Sequence, residues 1–387
     1  MLQTGHFTAP PANLLALTPL DDVLAEIVER RGEFRALGYV PDDVIAKFKA
    51  VGIYRASAPK RFGGDALPPA EFLRMVERIS TADGSAGWVA SFGSALVYLA
   101  ALPLETQADL YKDGPDVAFA GGLFPVQPAK DTGSGFLVNG RWKWASGCMG
   151  ADVLGVGIPG DETTGGKPRT VLLRPDQVEI VQDWDVVGMA GTGSFDLVVR
   201  DVEVPKERTF IRGGAPTVDE PLYRYPSLAY AAQVLAVVNV GIARAALDYA
   251  EEVAGGGTGV TGAPKLADRA YYRIDIARAE ARLRSARAFF YEAAEEAFAT
   301  VLAGDPVSDA QNGLLRLSST HAVQTGAEVV RTVFELSGTS AIYNDHPLLP
   351  LLRDSLVPTQ HAFLGTSMYD AAGAVLMGLP PTIPGFR

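Results

Sequence analysis

The sequence predicts an α+β protein in three consecutive parts: a helical N-terminal domain over residues 1–116, a central β-domain (barrel or sandwich) over 117–225, and a C-terminal four-helix bundle over 226–387. Three observations predict it. Up to about residue 112, apolar residues recur at three- and four-residue spacing; from about 117 to 212 they recur every second residue in short runs; after Pro226 the helical period returns in much longer segments.

The first part is carried by "PLDDVLAEIVERRGEFRA", "PDDVIAKFKAVGIY", "PPAEFLRMVERISTADGSAGWVASFGSALVYLAAL" and "PLETQADLYKDG", each opening on the Pro or Asp that favours a helix start. The second is carried by "GFLVNGRWKWAS", "VLGVGIP", "RTVLLR", "VEIVQDW" and "SFDLVVRDVEV", with turn residues between them. The third spans 227–254, roughly 266–303, roughly 308–337 and a last segment around 354–377, lengths that suit four antiparallel helices. The glycine-rich "AGGGTGVTGAPK" joins the first two of these. Its Gly257, Gly259 and Gly262 match G-x-G-x-x-G, but the match follows a helix, whereas a dinucleotide fingerprint follows a strand. It reads as a loop.

Composition excludes several classes. With 387 residues, 48% hydrophobic and 20% charged, the chain can bury a sizeable core. A net charge of -11 and the absence of any basic run argue against nucleic acid or an anionic membrane as partner. The apolar stretch "LAYAAQVLAVVNVGIARAAL" contains Gln233, Asn239 and Arg244, so a buried bundle helix is expected there in place of a membrane span. The single Cys148 cannot close an internal disulfide, and the opening "MLQTGHFTAPPANLL" lacks the features of a signal peptide; a cytoplasmic location is expected. No G-x-x-x-x-G-K-[ST], H-E-x-x-H, paired C-x-x-C or G-x-S-x-G occurs, so neither a metal site nor a nicotinamide site is expected.

Helices, then strands, then a bundle is the order of the acyl-CoA dehydrogenase superfamily, and three segments resemble it. "GFLVNGRWKWASGCMGADVLGVG" (135–157) and "VVGMAGTGSFDLVVRDVEVPKER" (186–208) resemble its flavin-contacting segments, and "FELSGTSAIYNDHPLLPLLRDSL" (334–356) resembles the helix junction that carries cofactor contacts before an Arg-Asp pair. Many dehydrogenases of the family place a glutamate base shortly after that pair. Here Thr359, Gln360, His361 and Ala362 stand there, and "SGC" replaces the usual Thr-Asn-Gly at 146–148. Both departures resemble the branch of two-component, reduced-flavin-dependent aromatic monooxygenases, specifically the oxygenase component.

The resemblance implies a reaction. An aromatic substrate, indole- or phenol-like, would be hydroxylated through a flavin C4a-hydroperoxide, with reduced FAD (or FMN) supplied by a separate NAD(P)H:flavin reductase and molecular oxygen as co-substrate. It implies catalytic roles for His361 as acid/base on the last helix of the bundle, whose unperturbed pKa of about 6.5 suits that task, and for Ser146 beside flavin N5. Cofactor contacts fall on Trp144, Ser146, Thr192, Ser194, Gly338, Thr339 and Ser340, with Trp144 one strand step from Ser146 on the same face. Trp88, Phe92 and Phe124 would line an apolar substrate pocket, suited to a neutral aromatic. A homotetramer is implied as well. His321 and His346 read as structural, and His6 as part of a loose terminus. A second reading, an FAD-dependent acyl-CoA dehydrogenase acting on an acyl thioester, requires a carboxylate facing the flavin from another helix; a third, a silent ligand-binding relative, would show scrambled flavin segments.

Overall fold

Six helices open the chain: α1 (Pro19–Leu37), α2 (Asp42–Ala50), α3 (Pro69–Ala82), α4 (Gly84–Ser91), α5 (Leu96–Leu99) and α6 (Leu104–Leu110). Asp83 starts α4, its side chain accepting from the Ala86 N–H at 2.9 Å, so that a buried carboxylate caps the helix that carries Trp88. The computed structural model describes residues 19–256, 262, 264–383 and 386; Gly257, Gly259 and His6 lie outside them.

Eight strands follow: β1 (Phe119–Gly122), β2 (Ala129–Asp131), β3 (Gly135–Ala145), β4 (Val153–Ile158), β5 (Arg169–Leu173), β6 (Glu179–Val181), β7 (Phe195–Pro205) and β8 (Thr209–Phe210). They form two four-stranded sheets, ordered β1-β4-β5-β8 and β2-β3-β7-β6, antiparallel except for the parallel pair β1–β4. Side chains from both sheets, including Val138, Trp142, Leu154, Val171, Leu197 and Val199, share a core of their own. The buried Trp142 donates its Nε1–H to the Gly157 carbonyl at 2.7 Å, which satisfies the one polar atom that burial would otherwise orphan.

The C-terminal part contains α7 (Pro221–Arg224), α8 (Ser227–Ala254), α9 (Ala270–Leu302), α10 (Asp309–Leu336), α11 (Leu348–Leu356) and α12 (Ser367–Leu376). Helix α8 is long and apolar enough to cross a membrane by composition, yet most of that stretch is buried in the protein's own core. Its Asn239 donates to the Val323 and Ser355 carbonyls at 3.0 and 2.9 Å, tying α8 to α10 and α11. Gly241 lets α3 approach: a Cβ there would stand 2.5 Å from the Glu77 carbonyl oxygen. One continuous core therefore joins the N-terminal helices to the bundle, with Phe34, Phe72 and Trp88 packed in the same cluster as Val237, Ile242 and Val323.

The three long helices lie close to where periodicity predicts them. The fourth segment does not. Pro358 has no N–H to continue α11 and its ring disfavours the preceding turn, so the chain passes through a 3₁₀ turn (Pro358–Gln360) and restarts as α12 only at Ser367. His361 thus sits in the connection between two short helices and not on a last long one.

Candidate active site

The site begins at the end of β3. The β3–β7 register slips between Trp142 and Ala145, and Trp144 takes a left-handed backbone (φ 63°). The alternation that would put Trp144 and Ser146 on one face is broken there: Trp144 is exposed, while Ser146, just past the strand, is buried. Gly147 (φ 74°) then turns the chain so that its N–H donates to the Thr192 carbonyl at 2.8 Å. This fixes the Ser146 loop against a second turn, 189–194, that leads into β7.

That second turn is held from four sides. Met189 is itself left-handed (φ 55°); its N–H donates to Asp354 Oδ1 at 2.6 Å and its carbonyl accepts from Trp184 Nε1 at 3.0 Å. Gly191 N–H donates to Ser85 Oγ at 3.2 Å, and Gly193 N–H to the Gly38 carbonyl at 2.8 Å. Residues from α1–α2, α4 and α11 therefore clamp one short turn, which supports a non-glycine residue in a conformation that costs energy.

Between the two loops runs a chain of hydroxyls. Trp88 Nε1 lies 3.1 Å from Ser146 Oγ, Ser146 Oγ 2.7 Å from Ser194 Oγ, Ser194 Oγ 2.7 Å from Thr192 Oγ1, and Thr192 Oγ1 2.9 Å from the Met189 carbonyl. An indole N–H only donates and a carbonyl only accepts. The one assignment that makes every contact a hydrogen bond has Trp88 donating to Ser146, Ser146 to Ser194, Ser194 to Thr192, and Thr192 to Met189. Ser146 has thereby committed its only proton and kept one lone pair, so it presents an acceptor to whatever occupies the site. All four side chains are buried.

His361 joins this cluster through Trp88, whose ring it meets edge to face at 5.9 Å; Phe363 packs against its other side at 5.3 Å. The Phe363 N–H donates to His361 Nδ1 at 3.2 Å, which places the ring proton on Nε2. Burial, reinforced by the Arg316 and Arg212 guanidinium groups, brings the His361 pKa down to about 4. The sequence expectation of an imidazole poised near 6.5 is corrected: at neutral pH His361 is an uncharged N–H donor.

Of the other expected residues, Trp88 proves to be the bridge between Ser146 and His361. Phe92 is half-buried against the helical core and Phe124 is exposed. Phe124 is nevertheless near the β3 end, its carbonyl accepting from Lys143 N–H at 3.1 Å. Gly338 (φ 65°), Thr339 and Ser340 form an exposed 3₁₀ turn after α10, where Ser340 Oγ donates to the Ser337 carbonyl at 2.9 Å; no hydrogen bond among the described residues joins them to the Ser146 loop. His346 bonds Tyr249 Oη at 3.1 Å and the Leu348 N–H at 3.3 Å, as a structural histidine would.

Sequence reasoning missed Asp354. It is buried, and its carboxyl is raised to about 7, first by burial and then by the neighbouring Asp83 carboxylate, against the opposing pull of the Met189 N–H, Arg35 and Arg353. A carboxyl whose folded pKa exceeds its unfolded value takes up protons on folding, so its contribution to stability is present below about pH 3.8 and is lost as pH rises through 7. Asp354→Asn keeps an acceptor for Met189 and cannot ionise. Its melting temperature should exceed that of the wild type by about 2–4 °C at pH 8.5, with the gap closing toward pH 5, as followed by circular dichroism. A gap independent of pH would show that the carboxyl does not titrate in the folded state.

Two sheets between helical parts, with a buried hydroxyl chain across two turns, match the flavin-enzyme class that the sequence resembles, and the comparisons with known proteins agree. Residues 233–366 match the family model "Acyl-CoA dehydrogenase, C-terminal domain". The chain is 54% identical over 384 residues to an indole-3-acetate monooxygenase of Pseudomonas putida, covering 98% of each chain. It is 29% identical over 381 residues to a flavin-dependent monooxygenase oxygenase subunit, HsaA, of Mycobacterium tuberculosis, covering 94% of this chain and 96% of that one. The crystal structure of 3-HSA hydroxylase from Rhodococcus sp. RHA1 superposes with a TM-score of 0.88 at 27% identity, over 95% of this chain and 98% of that one. The chain belongs to the flavin-dependent monooxygenases built on the acyl-CoA dehydrogenase fold. It is an oxidoreductase, the oxygenase component that acts on an aromatic substrate with reduced flavin and molecular oxygen. The acyl-thioester reading is thereby overturned. The buried carboxylates among the described residues are already occupied: Asp83 caps α4, Asp354 anchors Met189 and Asp196 pairs with Arg141.

Proposed function

We propose that the chain oxygenates indole-3-acetate or a closely related indole acid, with Ser146 and His361 on either side of Trp88 as the working groups. The observation that carries this reading is the ordered hydroxyl chain, which leaves Ser146 a single free acceptor beside an aromatic wall. An acceptor fits a reduced flavin, whose N5 bears a hydrogen. A reduced flavin, when bound, supplies the activation of oxygen and its transfer to the substrate ring. The protein's own residues do the rest. Ser146 would hold the N5 proton in place. Trp88, buried, excludes water from the space between Ser146 and His361. His361 offers its Nε2–H to the oxygen being installed on the substrate, and Thr192 and Ser194 keep Ser146 oriented. Trp144 and Phe124, exposed at the end of β3 and on the neighbouring loop, would close over the ring system. The exposed turn Gly338–Ser340 would meet a cofactor held by a second copy, in a homotetramer, since its side chains face outward from the end of α10. A cytoplasmic setting, with a separate flavin reductase, completes the reading.

The test uses the isolated protein with indole-3-acetate. With NADH or NADPH, oxygen and oxidised flavin alone, no oxygenated product should form, and product should appear once any flavin reductase or chemically reduced flavin is added. Turnover with the nicotinamide alone in a reductase-free preparation would refute the two-component reading.

A further inference from the structure

Next to the aromatic wall lie two arginines that no acid answers, Arg316 buried and Arg212 half-buried. Arg316, on α10, is 1% exposed. It donates one N–H to the Leu228 carbonyl at 3.1 Å and one to the Met368 thioether at 3.4 Å, while its buried Nε–H has no partner. Its guanidinium lies 4.9 Å from the Phe363 ring centre and 5.5 Å from that of Phe386. Arg212, just after β8, has its guanidinium 5.9 Å from the Tyr98 ring and a buried Nε–H with no partner. Neither forms an ion pair with any described residue. The two meet at the start of α8: Tyr98, beside Arg212, donates its Oη–H to the Ser227 carbonyl at 3.5 Å, and Arg316 donates to the adjacent Leu228 carbonyl, so both charges act on Tyr98 and on His361.

Burying two like charges without a counter-ion is costly, and burial lowers the pKa of both groups as expected, Arg316 to about 10. Packed interiors keep such charges where an anion arrives to share them. A planar fork with free N–H donors suits a carboxylate, and the aromatic faces of Phe363, His361 and Trp88 continue from that fork toward Ser146. We propose that Arg316 and Arg212 receive the carboxylate of an aromatic acid substrate, holding its ring against His361 and Trp88. The inference rests on the indole-acid reading above and adds to it the residues that would choose an acid over a neutral aromatic. It also departs from the sequence expectation of a pocket suited to a neutral ring: the charges come from an arginine set among the leucines of "GLLRLSS" and from one in the loop after the last strand.

The experiment compares indole-3-acetate with indole-3-acetamide, a neutral molecule of nearly the same shape, under chemically reduced flavin. The wild type should prefer the acid. Arg316→Gln and Arg212→Gln should each lower kcat/KM for the acid roughly 10- to 100-fold, the range for losing a charged hydrogen bond, and change the amide by less than about threefold. Arg316→Lys, which keeps the charge but not the fork, should recover only part of the acid preference. Binding of indole-3-acetate to flavin-free protein, followed by calorimetry, should weaken in the same order, and melting temperatures identify any variant that fails to fold. Equal losses on acid and amide, or an undiminished acid preference in the folded variants, would overturn the carboxylate receptor. So would an effect confined to the affinity for flavin, which would assign the arginines to the cofactor's phosphate. A wild type that oxygenates other indoles but ignores indole-3-acetate would instead overturn the substrate reading, and the receptor with it.

Discussion

Replacing His361 with alanine is expected to lower the rate of substrate oxygenation about 10- to 100-fold, and replacing it with asparagine to restore most of that loss. General acid–base catalysis is typically worth about 10²- to 10⁴-fold, and neither variant could supply it. The folded environment argues for a smaller and different role. With its pKa brought down to about 4, His361 carries no charge at neutral pH, and the Phe363 N–H occupies the nitrogen that could act as base. What remains is a fixed N–H donor, whose loss costs about 1–3 kcal/mol and which an asparagine amide can imitate. Product formation and peroxide release measured side by side in the three proteins decide the matter. Losses beyond 100-fold in both variants would return His361 to proton transfer, and near-wild-type turnover in the alanine variant would leave it a structural residue.

Ser146→Ala is expected to uncouple the enzyme, with most consumed oxygen appearing as hydrogen peroxide and little as product. The side chain is not a peripheral hydroxyl whose loss the fold ignores. It is buried, accepts from Trp88 and donates to Ser194, so alanine leaves the Trp88 N–H without a partner at a cost of about 1–3 kcal/mol. A fall in melting temperature should therefore accompany the uncoupling. Trp88→Phe separates the two effects: it removes the donor, leaves Ser146 in place, and should alter stability and substrate affinity more than coupling. Equal peroxide yields from wild type and Ser146→Ala would exclude Ser146 from any contact with the flavin.

Much of the fold was legible because periodicity is a local signal. The three long helices and the stretch of strands follow directly from spacing in the chain. The break at Pro358 was also written there, as a proline inside a helical pattern, but a segment expected to reach residue 377 masked it, and His361 was assigned to the wrong kind of element. The shared face expected for Trp144 and Ser146 failed for a related reason: strict alternation cannot foresee a bulge, and one inserted residue reverses a face. Ser146, Thr192, Ser194, Trp88 and His361 were all named from the sequence, yet their connection was invisible, since 58 positions separate Trp88 from Ser146 and 48 separate Ser146 from Ser194. Asp354 and Arg316 were missed because a charged residue in an apolar helix declares only that it is unusual, and Arg212 because a charge in a loop is ordinary. What it faces is a property of the packed protein.

The direction of the hydroxyl chain has a bearing on traffic between proteins. A serine that can only accept welcomes a ring nitrogen bearing a hydrogen and has nothing to give to the same nitrogen once that hydrogen is gone. Reduced and oxidised isoalloxazine differ at N5 in this respect. Seated at Ser146, the incoming cofactor would be gripped and the spent one released, so the loop would work as a valve, set by the Met189 carbonyl three hydrogen bonds away.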